Sequence, residues 1–148
     1  MEEKDICAAL LEAAELRKPE NNRAQIQIVR QGKKLFAFTV GPLTESDWRK
    51  CRRQNLKNRN KPNEELDEAR FLSQVIYEAT VEEDKKRLWN QREVWTALNV
   101  ISGVDAVNLI LTPGEKSRLG REIEKLSGYS EDGLDEQIKN LLTAETAP

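Results

Sequence analysis

The residues best suited to covalent chemistry are Cys7 and Cys51, the two cysteines of the sequence. Cys51 stands among Arg49, Lys50, Arg52 and Arg53, and positive neighbours favour a thiolate. A nucleophile also needs a base, and the chain contains no histidine. That removes Ser–His and Cys–His pairs, a histidine general base and any histidine-ligated metal. Cys51 is therefore expected to fill the inner face of a basic helix. Carboxylates are abundant, but acid–base catalysis needs two of them in a desolvated cleft, and runs such as Glu82-Glu83-Asp84 read as solvated helix faces. Thr112-Pro113-Gly114-Glu115 has one glycine and no Gly-Lys-Ser/Thr ending, so it is a helix start and not a phosphate loop. No alternating-acid calcium loop is present. The expectation is a protein that is not an enzyme and uses neither cofactor nor metal.

Charge is the sharpest anomaly. From Arg49 to Lys61 there are seven basic residues and no acid; from Pro62 to Asp84 there are eight acids against Arg70 alone. A basic helix carrying Arg49, Lys50, Arg52 and Arg53, with Lys57 beyond it, could grip a phosphate backbone, which makes a nucleic-acid-binding module the alternative reading. The acidic stretch next to it would repel a polyanion. Two neighbouring helices of opposite sign more simply pair with each other or with another protein chain.

The elements that position these residues can be read from periodicity and caps. Ile6, Ala9, Leu10, Ala13 and Leu16 form one face of a helix over 5–17, ended by Pro19. Ala24, Ile26 and Ile28 alternate with glutamines, and Leu35 to Val40 alternate again after a turn at Gln31-Gly32-Lys33. This predicts a β-hairpin, which is marginal in water unless its apolar face is covered. Thr44-Glu45-Ser46-Asp47 is a capping box with Asp at its third position, and Leu43 and Trp48 are spaced as a hydrophobic staple. That helix is expected to run to about Asn58, followed by a polar linker to Asn63 and a further helix over 64–80. Asn90 with Glu93, and Trp89 with Val94, predict the next start, with Val94, Trp95, Leu98 and Ile101 buried. Ser102 with Asp105 opens another helix. Thr112 as N-cap, Pro113 at the first position and Glu115 at the third open one more, which Gly128 ends. Ser130 then caps a last helix with Leu134, Ile138, Leu141 and Leu142 along one side. That stripe could cover the core, pair with a second copy in a homo-oligomer, or take up a helical client.

With 148 residues and 17.0 kDa, the chain is expected to be a single domain. Within it, 1–23 is a helix and connector, 24–129 the core and 130–148 a last helix with a frayed tail. Its formal charge of −2 and mean hydropathy of −0.72 call for neither nucleic acid nor membrane as a whole-chain partner. The longest apolar run, Ile6 to Leu11, is far short of the ~18 residues of a span, and Glu2-Glu3-Lys4-Asp5 is not the start of a secretory leader. An intracellular location is therefore expected, and with it a reducing compartment for both thiols. The fold class that follows is mainly α (α+β), a bundle of short helices with a small N-terminal antiparallel hairpin.

The order of these motifs resembles a known family. Phe36-Ala37-Phe38, then Leu43-Thr44-Glu45, then Ile110-Leu111-Thr112-Pro113-Gly114-Glu115, then Leu126-Ser127-Gly128-Tyr129 is similar to the XkdN-like phage tail assembly chaperones of PBSX-type prophage elements. The resemblance spans about Ile26 to Tyr129. It implies a non-catalytic protein of the bacterial host cytoplasm that binds the tape measure protein, or another tail protein, and keeps it soluble during tail assembly. It transfers no catalytic residues, and a structural tail or baseplate component is the remaining alternative. The client-binding residues are expected from the spare stripe at Leu134, Ile138, Leu141 and Leu142.

Overall fold

The turn at Gln31 and Gly32 sets the first part of the fold. Both residues have positive φ, 54° and 74°, the requirement of a two-residue hairpin turn whose twist matches its strands. Such a turn lets pairing continue up to it, so the strands are longer than alternation predicts: β1 is Ala24–Arg30 and β2 is Lys33–Val40. Their antiparallel register pairs Ala24 with Val40, Ile26 with Phe38 and Ile28 with Phe36, and it slips at a bulge between Ile28 and Val29. The computed structural model describes residues 3–128. Before the hairpin lies α1, Glu3–Arg17, followed by one tight turn at Pro19–Asn21.

The two edges of the hairpin differ. Beyond β2, the Gly41 N–H donates to the Ala79 carbonyl at 2.8 Å and the Val81 N–H to the Thr39 carbonyl at 3.0 Å. The Thr39 N–H donates to Asp84 Oδ2 at 2.7 Å, and Arg87 Nη2 to the Ala37 carbonyl at 2.6 Å. Among the described residues no backbone partner covers the far side of β1. A groove of about 430 Å³ runs there instead, between Ala24–Val29 and Glu115, Arg118, Leu119 and Glu122.

α2, Glu45–Gln54, begins at the expected capping box: the Asp47 N–H donates to Thr44 Oγ1 and the Thr44 N–H to Asp47 Oδ2, both at 3.1 Å. It stops four residues earlier than expected. Asn55 is buried, donating from Nδ2 to the Cys51 carbonyl at 2.7 Å and to Gln74 Oε1 at 3.1 Å. The chain then pairs β3, Leu56–Lys57, with β4, Glu65–Leu66. Asn58 and Asn60 take the left-handed conformation between them, which asparagine tolerates. α3, Glu68–Ala79, therefore starts at its cap Asp67 and not at Glu64.

A short helix α4, Glu82–Asp84, widens into a π turn over Lys85–Trp89. This turn carries Trp89 into the core, where it is 1% exposed. Asn90 does not cap the next helix: its side chain is engaged with the Tyr77 hydroxyl, and α5, Arg92–Leu98, starts after Gln91 without a side-chain cap. Leu98 and Ile101, expected to be buried, are 37% and 87% exposed, because Asn99 turns left-handed and ends α5. α6, Gly103–Ile110, and α7, Pro113–Leu126, start where expected, on Ser102 and on a complete Thr112–Glu115 capping box. Gly128 follows α7 at φ 82°.

The core lies where the inner face of the hairpin (Ile28, Phe38, Val40) meets α3 (Val75, Ile76), Trp89, α6 (Val107) and α7 (Leu119, Ile123). The fold is mainly α with a small hairpin near its N-terminus, as the sequence predicts.

One polar tie spans it. Arg30, at the end of β1, meets Glu115 at the start of α7 through two hydrogen bonds, of 3.1 and 2.6 Å, and donates to the Ile110 carbonyl at 2.6 Å. The Arg30 guanidinium is the main cause that holds the Glu115 carboxyl down, to about 2. A carboxyl depressed in the folded state stabilises the fold above its unfolded pKa, near 4.5, and this contribution is lost as pH falls through about 2. Thermal unfolding followed from pH 7 down to pH 2 should show a fall in Tm beginning below about pH 4.5 that is flatter in Glu115→Gln. Identical acid slopes in the two proteins would refute this role for the pair.

Candidate partner-binding site

The chemistry weighed from the sequence can be placed directly. Cys51 is buried, and burial, with smaller contributions from Glu78 and Asp47, raises its thiol to about 11. The thiol form dominates at neutral pH despite the arginines around it. Cys7 is exposed. Among the described residues no group of three or more His, Cys, Asp or Glu side chains is arranged to hold a metal ion. Within the acidic run, Glu82 pairs with Lys85, and Asp84 serves the Thr39 N–H and Arg87.

Two polar features escaped sequence reading. Besides Arg30–Glu115, Lys116 is 5% exposed and donates to Asn108 Oδ1 at 2.6 Å, and Asn108 Oδ1 also accepts from the Ser73 hydroxyl at 3.1 Å. Burial lowers the Lys116 pKa. The pattern that placed Lys116 on α7 carried no sign that this face turns inward against α3 and α6.

The basic residues lie on the outside. Arg49, Lys50, Arg52, Arg53 and Lys57 are all exposed, and Ser46, Arg49, Arg52 and Arg53 border a groove of about 340 Å³. The expected pairing of this helix with the acidic one is not how they meet. α2 and α3 contact through Trp48 and Phe71, with ring centroids 6.2 Å apart, and through Asn55 and Gln74. Among the described residues no ion pair joins them, and of the seven basic side chains Arg49 alone has an acidic partner, Glu45 on its own helix at 3.3 Å.

Uncovered apolar surface is concentrated in α1. Every residue from Asp5 to Glu20 is exposed, with Ile6 at 44%, Leu10 at 65%, Leu11 at 73% and Leu16 at 60%. The periodicity that predicted this helix gave no means of telling a face against the core from a face against another chain. A smaller patch at the α5–α6 corner joins Ile101 to Leu109 around a hollow of about 270 Å³. The sequence-derived client residues Leu134, Ile138, Leu141 and Leu142 lie outside the described residues. Among the described residues no helix is long and apolar enough to cross a membrane.

A charged exterior with an apolar helix left bare is a surface for holding a protein. The family profile of the phage XkdN-like tail assembly chaperone proteins matches residues 7–141, from within α1 through the core and past the end of α7. The chain belongs to this family. Among solved structures, the crystal structure of the protein YqbN is similar at 16% identity over 73% of this chain and 87% of that one, with a TM-score of 0.46. No curated protein matches. As a tail assembly chaperone family member, the chain has a role in phage tail assembly, which implies contact with tail proteins.

Proposed function

We propose that this chain binds helical segments of the tape measure protein in the cytoplasm of the bacterial host, keeps them soluble while the tail tube assembles, and leaves before the tail is finished. The observation that carries this reading is α1. A helix of 15 residues is marginal alone in water, and most helical stability in proteins comes from packing an apolar face. Here that face, built on Ile6, Leu10 and Leu16, is exposed. A helical client would cover it in the helix-to-helix manner read out at three- and four-residue steps. Leu134, Ile138, Leu141 and Leu142 supply a second apolar stripe of the same kind, and a homo-oligomer would use either stripe between copies.

Release during assembly calls for an interface with polar edges and modest area, and the charged residues flanking the stripe of α1 provide such edges. The function needs no titrating nucleophile, so the chain is read as non-catalytic.

The test is co-purification of a tape measure fragment with the chaperone. Leu10→Ser with Leu16→Ser, and separately Leu134→Ser with Ile138→Ser and Leu141→Ser, should each reduce capture by roughly tenfold, the equivalent of ~1.4 kcal/mol. Circular dichroism should be preserved in the first variant because its residues lie on the surface. Capture at the wild-type level by both variants would sink the proposal. Stoichiometric amounts of this chain in purified mature tails would instead identify a structural tail or baseplate component.

A further inference from the structure

The exposed basic face of α2 lies beside the point where the chain leaves α7. Ser127 Oγ accepts from the Leu43 N–H at 2.9 Å and donates to the Ile123 carbonyl at 2.7 Å. This fixes the end of α7 against the residue that precedes the Thr44 cap. The residues that follow Gly128 are acidic: Glu131, Asp132, Asp135, Glu136 and Glu145 against Lys139 alone.

We infer that the stretch from Glu131 to Glu136 docks on the outer face of α2 and places its carboxylates on Arg49, Arg52 and Arg53. Reach permits it. Four to nine residues separate Ser127 from these acids, or up to about 14–31 Å of extended chain. Along α2, Arg53 is ten residues beyond Leu43, about 15 Å at the helical rise. Charge favours it: of these three arginines only Arg49 has an ion-pair partner among the described residues, and Glu45, which provides it, is itself 69% exposed. Pairs of this kind are individually weak. The acids are tethered, however, and present at an effective concentration on the order of millimolar, so several weak pairs act together. A free polyanion would have to displace them. Leu134 lies among these acids, so the inference shares one residue with the tape measure reading; its test reads acids and lysines in the absence of a client, and its failure is distinct from a failure of client capture.

Zero-length carbodiimide cross-linking of the full chain, read by mass spectrometry, tests it. Lys50 lies on the same helix, and an Arg52→Lys variant adds a second reporter within the groove. The expected products are links from these lysines to Glu131, Asp132, Asp135 or Glu136 within a monomer. Their yield should fall roughly fivefold at 0.5 M salt, where the screening length is about 4 Å, and they should be lost when the four acids are changed together to Gln. Links confined to α2 and α3 carboxylates, such as Glu45 or Glu78, would overturn the inference. So would tail links found in dimers alone, which would assign the acids to a second copy. Equal affinity of the wild type and the four-Gln chain for a short duplex DNA, with Lys50 protected by it, would also overturn it and give this face to a phosphate backbone.

Discussion

Trp89→Ala is expected to remove a large share of the stability of this protein. The side chain is 1% exposed and meets Phe36 and Phe38 edge-on, at centroid separations of 6.0 and 5.3 Å. Truncating a buried tryptophan costs about 3–5 kcal/mol through lost transfer energy and the cavity left behind. Its Nε1–H also donates to Thr80 Oγ1 at 3.0 Å, within a buried pair. Thr80 is the residue that bridges to Val40, so the cavity opens beneath the covered edge of β2. Against a typical total of 5–15 kcal/mol, Tm should fall by roughly 10 °C or more. Trp89→Phe keeps the aromatic contacts, loses the hydrogen bond and should lie between the two. Trp95, only partly buried, serves as the comparison: if Trp95→Ala proves as damaging as Trp89→Ala, the π turn does not anchor the core in the way described.

Gly103→Ala should destabilise the fold although it places a better helix former in a helix. In an exposed helix this exchange gains roughly 0.5–1 kcal/mol. At the first residue of α6, however, a Cβ would press on the Tyr77 ring and on Asn90 Oδ1, inside van der Waals contact with both. Tyr77 and Asn90 are hydrogen-bonded to each other, and Lys85 Nζ lies 5.2 Å from the centre of the Tyr77 ring. None of the three can yield alone. Overpacking of this kind costs about 1–3 kcal/mol, so denaturant midpoints should drop. Gly114 in the first turn of α7 has nothing within 4 Å of an added Cβ, and Gly114→Ala should be neutral or slightly stabilising. A Gly103→Ala protein as stable as its parent would mean that the approach of α6 to α3 is looser than the contacts indicate.

What could be read from the sequence was what is decided locally. The Thr44–Asp47 and Thr112–Glu115 boxes involve residues three apart, and they fix helix starts whatever surrounds them. The hairpin was legible because alternation and a glycine turn occur within one stretch of 17 residues, Ala24–Val40. The misread elements depended on distant groups. Asn90 resembles a cap in sequence, but Tyr77 takes its side chain. The helix after Trp48 seemed able to continue past Asn55, but that residue is tied to Gln74 on α3. Leu98 and Ile101 fit an apolar period that Asn99 interrupts. The family resemblance, carried by the order of short motifs, was legible as well. The exposure of α1 was not legible: Ile6, Leu10 and Ala13 are spaced as on a packed helix, yet every residue from Asp5 to Arg17 is exposed.

The unequal edges of the hairpin also bear on assembly. Strands can join this sheet from one direction only, since Ala79, Val81, Asp84 and Arg87 already occupy the other. Along Ala24 to Ile28 the outward side chains are Gln25 and Gln27, and no lysine or proline blocks approach on that stretch, as edge strands often provide. Wrongly templated stacking, if concentrated or heated samples develop it, should therefore start from this flank and end at the kink beside Val29, where the spacing of the ladder is lost.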